Sequence, residues 1–156
     1  MRKIEAQMVM AVRDQLNGTR TKEWRSGNTC VRSVFDAQLG PVVVVELHGN
    51  EIAQFTNGGM LKITDAGWQT VTTKSRLNAL LSCFYAGQRL SQIKGQWRLN
   101  ADDFNGTAWV SFRWLNNACC WEAERLGEPM KPLRDVYELE HIRALSKGLA
   151  AATCLA

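Results

Sequence analysis

Between residues 29 and 63, turn-forming residues recur so closely that no helix fits between neighbouring strand-like runs. Gly40-Pro41, Gly49-Asn50 and Asn57-Gly58-Gly59 separate a first run from Thr29 to Phe35, a β-branched run from Val42 to His48, a third from Glu51 to Phe55, and Met60, Leu61 and Ile63. Parallel neighbours need a crossover of roughly a dozen residues or more. These runs are therefore expected to pair as antiparallel hairpins, with Val42-Val43-Val44-Val45 as the best central strand.

The flanking segments have a helical period. Ile4, Met8, Val12 and Leu16 recur every four residues, with Val9 and Met10 beside them, which predicts a helix over residues 2–16 ended by Asn17-Gly18. Over residues 67–81 a two-residue period gives way to a helical one. A strand carrying Trp68 and Val71 is expected to run into a helix starting near Lys74, with Leu77, Leu80, Leu81 and Phe84 inward and Thr72, Thr73 or Ser75 as N-cap. After a break at Gly87, residues 89–93 and 95–99 read as another hairpin with Ile93, Trp97 and Leu99 inward. Residues 100–106 read as a polar loop and 108–115 as a strand or packing loop. Helical patterns follow over 116–125 and, through Val136, Leu139 and Ile142, over 133–149. The fold class expected is α+β: a predominantly antiparallel sheet of short hairpins, an N-terminal helix, a central helix and one or two C-terminal helices. Residues 1–156 are expected to form a single domain, with 1–100 as an α/β core and 101–156 as a mainly helical extension packed on it.

A chain of 156 residues that is 46% hydrophobic and 22% charged can bury a sizeable core and lies outside the range of disordered sequences. No apolar run is long enough to span a membrane, and residues 1–16 lack the apolar core of a secretory signal, so a reducing cytoplasm is the default expectation. The five cysteines are odd in number and show no CxxC spacing, which supports neither a disulfide framework nor a structural zinc site. The net charge of +4 is modest, but residues 62–98 set Lys62, Lys74, Arg76, Arg89, Lys94 and Arg98 against the single acid Asp65. Such a field attracts phosphate or an acidic protein surface, or is merely a solvated face.

The sequence contains no phosphate-binding P-loop, metalloprotease or nucleophile-elbow motif. His48 lies near Glu46 and Asn50 but lacks a nucleophile or second ligand, and reads first as a hydrogen-bonded strand-end residue; His141 reads as a helix-surface group. Asp65, Asp102 and Asp103 would need to converge with Glu46 or Glu51 to hold a divalent ion, and their spacing does not require it. No catalytic residue, metal ligand or cofactor is expected. The binding candidates form two groups. Thr72, Thr73, Lys74, Ser75 and Arg76 at the helix entrance offer an anion cup, or else an N-cap with two solvent-facing bases. Arg20, Lys22, Trp24 and Arg25, together with Trp68, offer phosphate contacts and stacking surfaces, although Trp24 serves equally well to close the end of a core.

Four segments together carry a resemblance: Trp24-Arg25-Ser26-Gly27-Asn28-Thr29, Leu47-His48-Gly49-Asn50-Glu51-Ile52-Ala53, Gly67-Trp68-Gln69-Thr70-Val71-Thr72-Thr73-Lys74-Ser75-Arg76-Leu77-Asn78-Ala79-Leu80, and Gly95-Gln96-Trp97. With the opening helix, they make about residues 1–100 resemble small accessory proteins of tailed bacteriophages. The resemblance implies expression in an infected host bacterial cytoplasm and action on host nucleic-acid metabolism or defence, and it supplies no catalytic residue. The expected function is a non-enzymatic accessory protein that binds a host protein or nucleoprotein, without a membrane. Direct DNA or RNA binding is the first alternative, and a small hydrolase or nuclease built from His48, Glu46, Asp65 or Asp102 is the second. Homo-oligomerisation is left open.

Overall fold

The computed structural model describes residues 1–20, 22–56, 58–84 and 88–112. Helix α1 (Lys3–Leu16) is followed by β1 (Trp24–Ser26), β2 (Thr29–Asp36), β3 (Gly40–Leu47), β4 (Asn50–Thr56) and β5 (Met60–Thr64). Helix α2 (Val71–Phe84) then leads to β6 (Leu90–Ile93), β7 (Gln96–Leu99), β8 (Asp102–Asp103) and β9 (Thr107–Ser111). The strands form a six-stranded sheet of order β1-β2-β3-β4-β5-β9 and a three-stranded sheet of order β6-β7-β8. Every pairing among the described residues is antiparallel, and from β2 to β5 the close spacing of turns requires it.

Side-chain alternation gives the large sheet two faces. Val43, Val45 and Leu47 of β3 lie in the core, together with their cross-strand partners Ala53 and Phe55 and, beyond these, Leu61, Ile63 and Val110. Val45 pairs with Ala53 but Glu46 pairs with Glu51, so Ile52 is an extra residue on β4. This bulge turns both Ile52 and Ala53 into the core. The β3–β4 reversal is a two-residue turn with His48 (φ 53°) and Gly49 (φ 79°) both left-handed, the mirror-image type whose twist matches a hairpin. Lys94 (φ 51°) and Gly95 (φ 80°) make the same turn between β6 and β7.

Both helices contribute to the core that the inward face of the sheet closes. The apolar side chains of α1 (Ala6, Met8, Val9, Ala11 and Val12) join Leu77, Leu80, Leu81 and Phe84 of α2. At one end Phe55 meets Phe84 and Phe112 edge-on, each at 5.0 Å between ring centroids. Trp97 of β7 is buried beside Phe104, with centroids 6.1 Å apart, so the small sheet closes another side of the same core.

Three expectations are corrected. Residues 67–70 form no strand: Asp65 to Trp68 is a tight turn with Ala66 (φ 54°) and Gly67 (φ 85°) left-handed, closed by Trp68 N–H donating to the Asp65 carbonyl at 2.9 Å. Asp65 fixes it further by accepting the Gly67 N–H at 2.8 Å. The second correction moves the expected change of character at residue 100, because β9 pairs along β5 and Phe112 packs in the core, so the sheet continues past it. The third concerns cysteine: Cys30 is a free, buried thiol, whereas Cys83 is disulfide-bonded, which the spacing of the cysteines did not specify. The helices expected over 116–125 and 133–149 lie outside the described residues.

On the sheet face away from the helices, Glu46 accepts from Arg32 Nε at 2.7 Å and lies across from Glu51. One oxygen of Glu51 is buried without a hydrogen-bond partner, and burial pushes its carboxyl above the ordinary range; Lys62 opposes that shift and Glu46 adds to it. A carboxyl with a raised folded-state pKa favours the folded state while protonated. Its stabilising contribution is therefore full below the ordinary carboxyl range and is lost as pH rises through the raised value. Glu51→Gln is expected to raise Tm relative to wild type more at pH 7 than at pH 4, as read by thermal unfolding at both pH values. Equal increments at the two would contradict this account.

Candidate functional site

The entrance of α2 is organised by Thr70. Its Oγ1 accepts the Thr73 N–H at 3.1 Å and its carbonyl accepts the Lys74 N–H at 3.0 Å, so Thr70 is the N-cap in place of Thr72, Thr73 or Ser75. Thr73 is buried, its hydroxyl 2.9 Å from that of Thr70.

The next two residues turn inward. Arg76 is 7% exposed and its Nη1 donates to Glu5 Oε2 at 3.0 Å, while its Nε donates to Thr29 Oγ1 at 3.3 Å. Ser75 Oγ donates to the same Glu5 oxygen, and Glu5 Oε1 accepts the Arg2 N–H at 3.1 Å. Arg76 is therefore in the core rather than in a surface cup, and the anion it meets is the chain's own Glu5, which is 3% exposed. Of the five residues expected to form that cup, Thr72 and Lys74 keep accessible side chains free of ion pairing among the described residues.

What the entrance shows to solvent is apolar. Trp68 is 67% exposed and Val71 is 71% exposed. Trp68 borders a cavity of about 410 Å³ whose apolar wall includes Leu47, Ile52 and Ala66. Its polar groups include His48, Asn50 and Asp65, and among the described residues no Lys or Arg lines it. The Asp65 carboxylate is already engaged by Gly67 N–H and, at 3.1 Å, by Gln69 Nε2.

The second candidate group lies elsewhere. The Lys22 carbonyl accepts from Gln15 Nε2 at 3.2 Å, near the end of α1, whereas Glu5 holds Ser75 and Arg76 near its start. Ten residues of helix separate them by roughly 15 Å. Arg20 Nε donates to the Lys22 carbonyl at 3.2 Å, and Arg25 pairs with Glu23 at 3.4 Å. Trp24 packs half-buried against the core, the end-closing position. The other bases disperse: Lys62 sits over Trp109 at 5.9 Å, Lys94 occupies a hairpin turn and Arg98 donates to the Ala101 carbonyl.

The residues considered for catalysis do not form one set. His48 and Asp65 border the same cavity, but Glu46 is held by Arg32 and neither Glu46 nor Asp102 lines that cavity. Cys30 is pushed up to about 11 by burial and then by its hydrogen bond to Glu23, which keeps it a thiol at neutral pH. Among the described residues no group of three or more His, Cys, Asp or Glu side chains is placed to hold a metal ion, and no helix is long and apolar enough to cross a membrane.

Sequence reasoning missed Glu5, the Thr70 cap and the exposure of Val71. The available signal for Glu5 was its place four residues before the core residue Val9, which put an acid on a buried helix face.

The family match over residues 1–116 makes this α+β chain one of a class of bacteriophage accessory proteins. Residues 1–116 match the model of the family described as Kyanoviridae Gp96 protein, and the chain belongs to that family. The match reaches beyond the 1–100 expected and takes in all of β9 and Phe112. Neither the curated proteins nor the solved structures contain a match to the chain.

The cap assignment makes a distinction that can be measured. Thr70→Ala is expected to cost about 1 kcal/mol of unfolding free energy, within the usual range of N-cap deletions, and Thr72→Ala much less. Denaturant unfolding of the two variants checks this, and equal losses would overturn the assignment.

Proposed function

We propose that the protein is a non-enzymatic phage accessory protein that binds a host protein or nucleoprotein in the host bacterial cytoplasm, through Trp68 on the wall of the cavity and Val71 at the start of α2. An inhibitor of a defence or nucleic-acid-processing complex falls in this physical class. The observation that supports the reading is the exposure of two large apolar side chains at the α2 entrance, Trp68 at 67% lining a preformed cavity of about 410 Å³ and Val71 at 71% lining the neighbouring groove. An aromatic ring of this kind removes roughly 150–250 Å² from water when covered, and Trp is enriched among the residues that dominate binding energy. Lys74, one helical turn beyond Val71, gives the patch a charged rim that acts mainly on encounter and orientation. The apolar wall of Leu47, Ile52 and Ala66, with no Lys or Arg among the described lining residues, favours an apolar anchor from the partner over a phosphate at that point.

Trp68→Ala/Val71→Ser leaves the core untouched, because neither side chain is buried in it. In affinity capture from infected cells with nuclease present, the double variant is expected to lose a wild-type host partner at least about tenfold, the scale set by two substituted anchor residues. Its thermal unfolding should match that of wild type. Undiminished capture by the folded double variant would overturn the reading.

A further inference from the structure

We infer that the groove on the other side of α2 binds the phosphate backbone of a single-stranded nucleic acid. This groove has a volume of about 650 Å³ and runs between the start of α1, the outer side of α2 and Arg89 just before β6. Arg2, Lys74 and Arg89 line it, and none of these side chains is ion-paired among the described residues. The acid that also lines it, Glu5, is held by Arg76 at 3.0 Å, so the pair adds no net charge to the groove. Three uncompensated cations thus converge on one concave surface, which is complementary to a run of phosphates.

Two features favour a nucleic-acid strand over an acidic peptide. The uncharged polar groups of the groove are already committed: Ser75 Oγ donates to Glu5, Ser82 Oγ donates to the Ala79 carbonyl at 2.9 Å, and the Asn78 amide is used at both ends. What remains are the guanidinium and ammonium donors of Arg2, Lys74 and Arg89, with no free uncharged group among Ser75, Asn78 and Ser82 to read a side chain, the usual chemistry of backbone contact. The second feature is the state of the adjacent strand edge. Strand β6 is the outer strand of its sheet, and a peptide would ordinarily add there. Asn78 occupies both backbone groups of Leu90, donating to its carbonyl at 3.0 Å and accepting from its N–H at 2.7 Å, which closes that end of the edge. A phosphodiester chain needs no such backbone partners.

The groove shares Val71 and Lys74 with the proposed protein contact, whereas Trp68 lines only the cavity and Arg89 only the groove, so the test separates the two through Trp68 and Arg89. Fluorescence anisotropy of the full chain with a labelled oligothymidylate, repeated over a salt series, is expected to give a log–log slope of about −2, the value for three phosphate contacts on a single strand. Lys74→Ala/Arg89→Ala should fold normally and bring the slope to about −0.7, with affinity lowered at least about tenfold at low salt. Trp68→Ala, which alters no residue of the groove, should leave both slope and affinity unchanged. Absence of oligonucleotide binding at low salt, or an unchanged slope in Lys74→Ala/Arg89→Ala, would overturn the inference. Displacement of the oligonucleotide by polyglutamate at equal charge concentration would do so too, assigning the groove to an acidic protein.

Discussion

The buried ion pair between Glu5 and Arg76 is the constraint on which the arrangement of this molecule depends. It joins the first turn of α1 to the second turn of α2, and through Thr29 it ties both to the start of β2. Removing two charges from water costs several kcal/mol per ion, and the pair holds only where other hydrogen bonds complete it. Here Glu5 receives Arg2 N–H, Ser75 Oγ and Arg76 Nη1, and Arg76 spends a further donor on Thr29. An apolar contact at the same place tolerates sliding of one helix on the other. A network of directed bonds with charged ends does not, and so fixes the rotation of α2 about its axis.

That rotation decides which residues the protein shows. With Arg76, Thr73 and Leu77 directed inward, Val71 and Lys74 are left on the groove side of the helix, while the Asp65–Trp68 turn delivers Trp68 to the wall of the cavity. Among the described residues, the two concave surfaces then lie on either side of the same helix entrance, one with an apolar wall and no Lys or Arg, the other bordered by unpaired cations. The basic character of residues 62–98 is consequently not one field: Arg76 is internal, Lys62 lies over Trp109 on the sheet, and Lys74 and Arg89 meet in the groove.

The hairpins were legible in the sequence because they are local. A mirror-image turn at His48-Gly49 or Lys94-Gly95 and the alternation of Val43, Val45 and Leu47 are set by residues a few positions apart. Both described helices were legible for the same reason. Residues 67–70 misled because Trp68 and Val71 resemble strand residues, whereas a left-handed Ala66-Gly67 and an aspartate binding its own backbone set the local geometry. The role of Arg76 was not legible at all: its partner stands 71 residues earlier, and a solvated arginine and a buried one have the same local sequence. Lys74 was recognisable as a candidate, but its groove neighbours Arg2 and Arg89 come together only through the pairing of the two helices.

The most direct measurement of this account is a double-mutant cycle on Glu5→Gln and Arg76→Met by denaturant unfolding. Each single substitution leaves a buried partner unpaired and is expected to cost roughly 3 kcal/mol or more. The double variant should recover a large part of the summed loss, giving a coupling of about 2–3 kcal/mol. Additive losses, with a coupling below about 0.5 kcal/mol as for an exposed pair, would contradict the claim that this interaction sets the helix packing and thereby the binding surface.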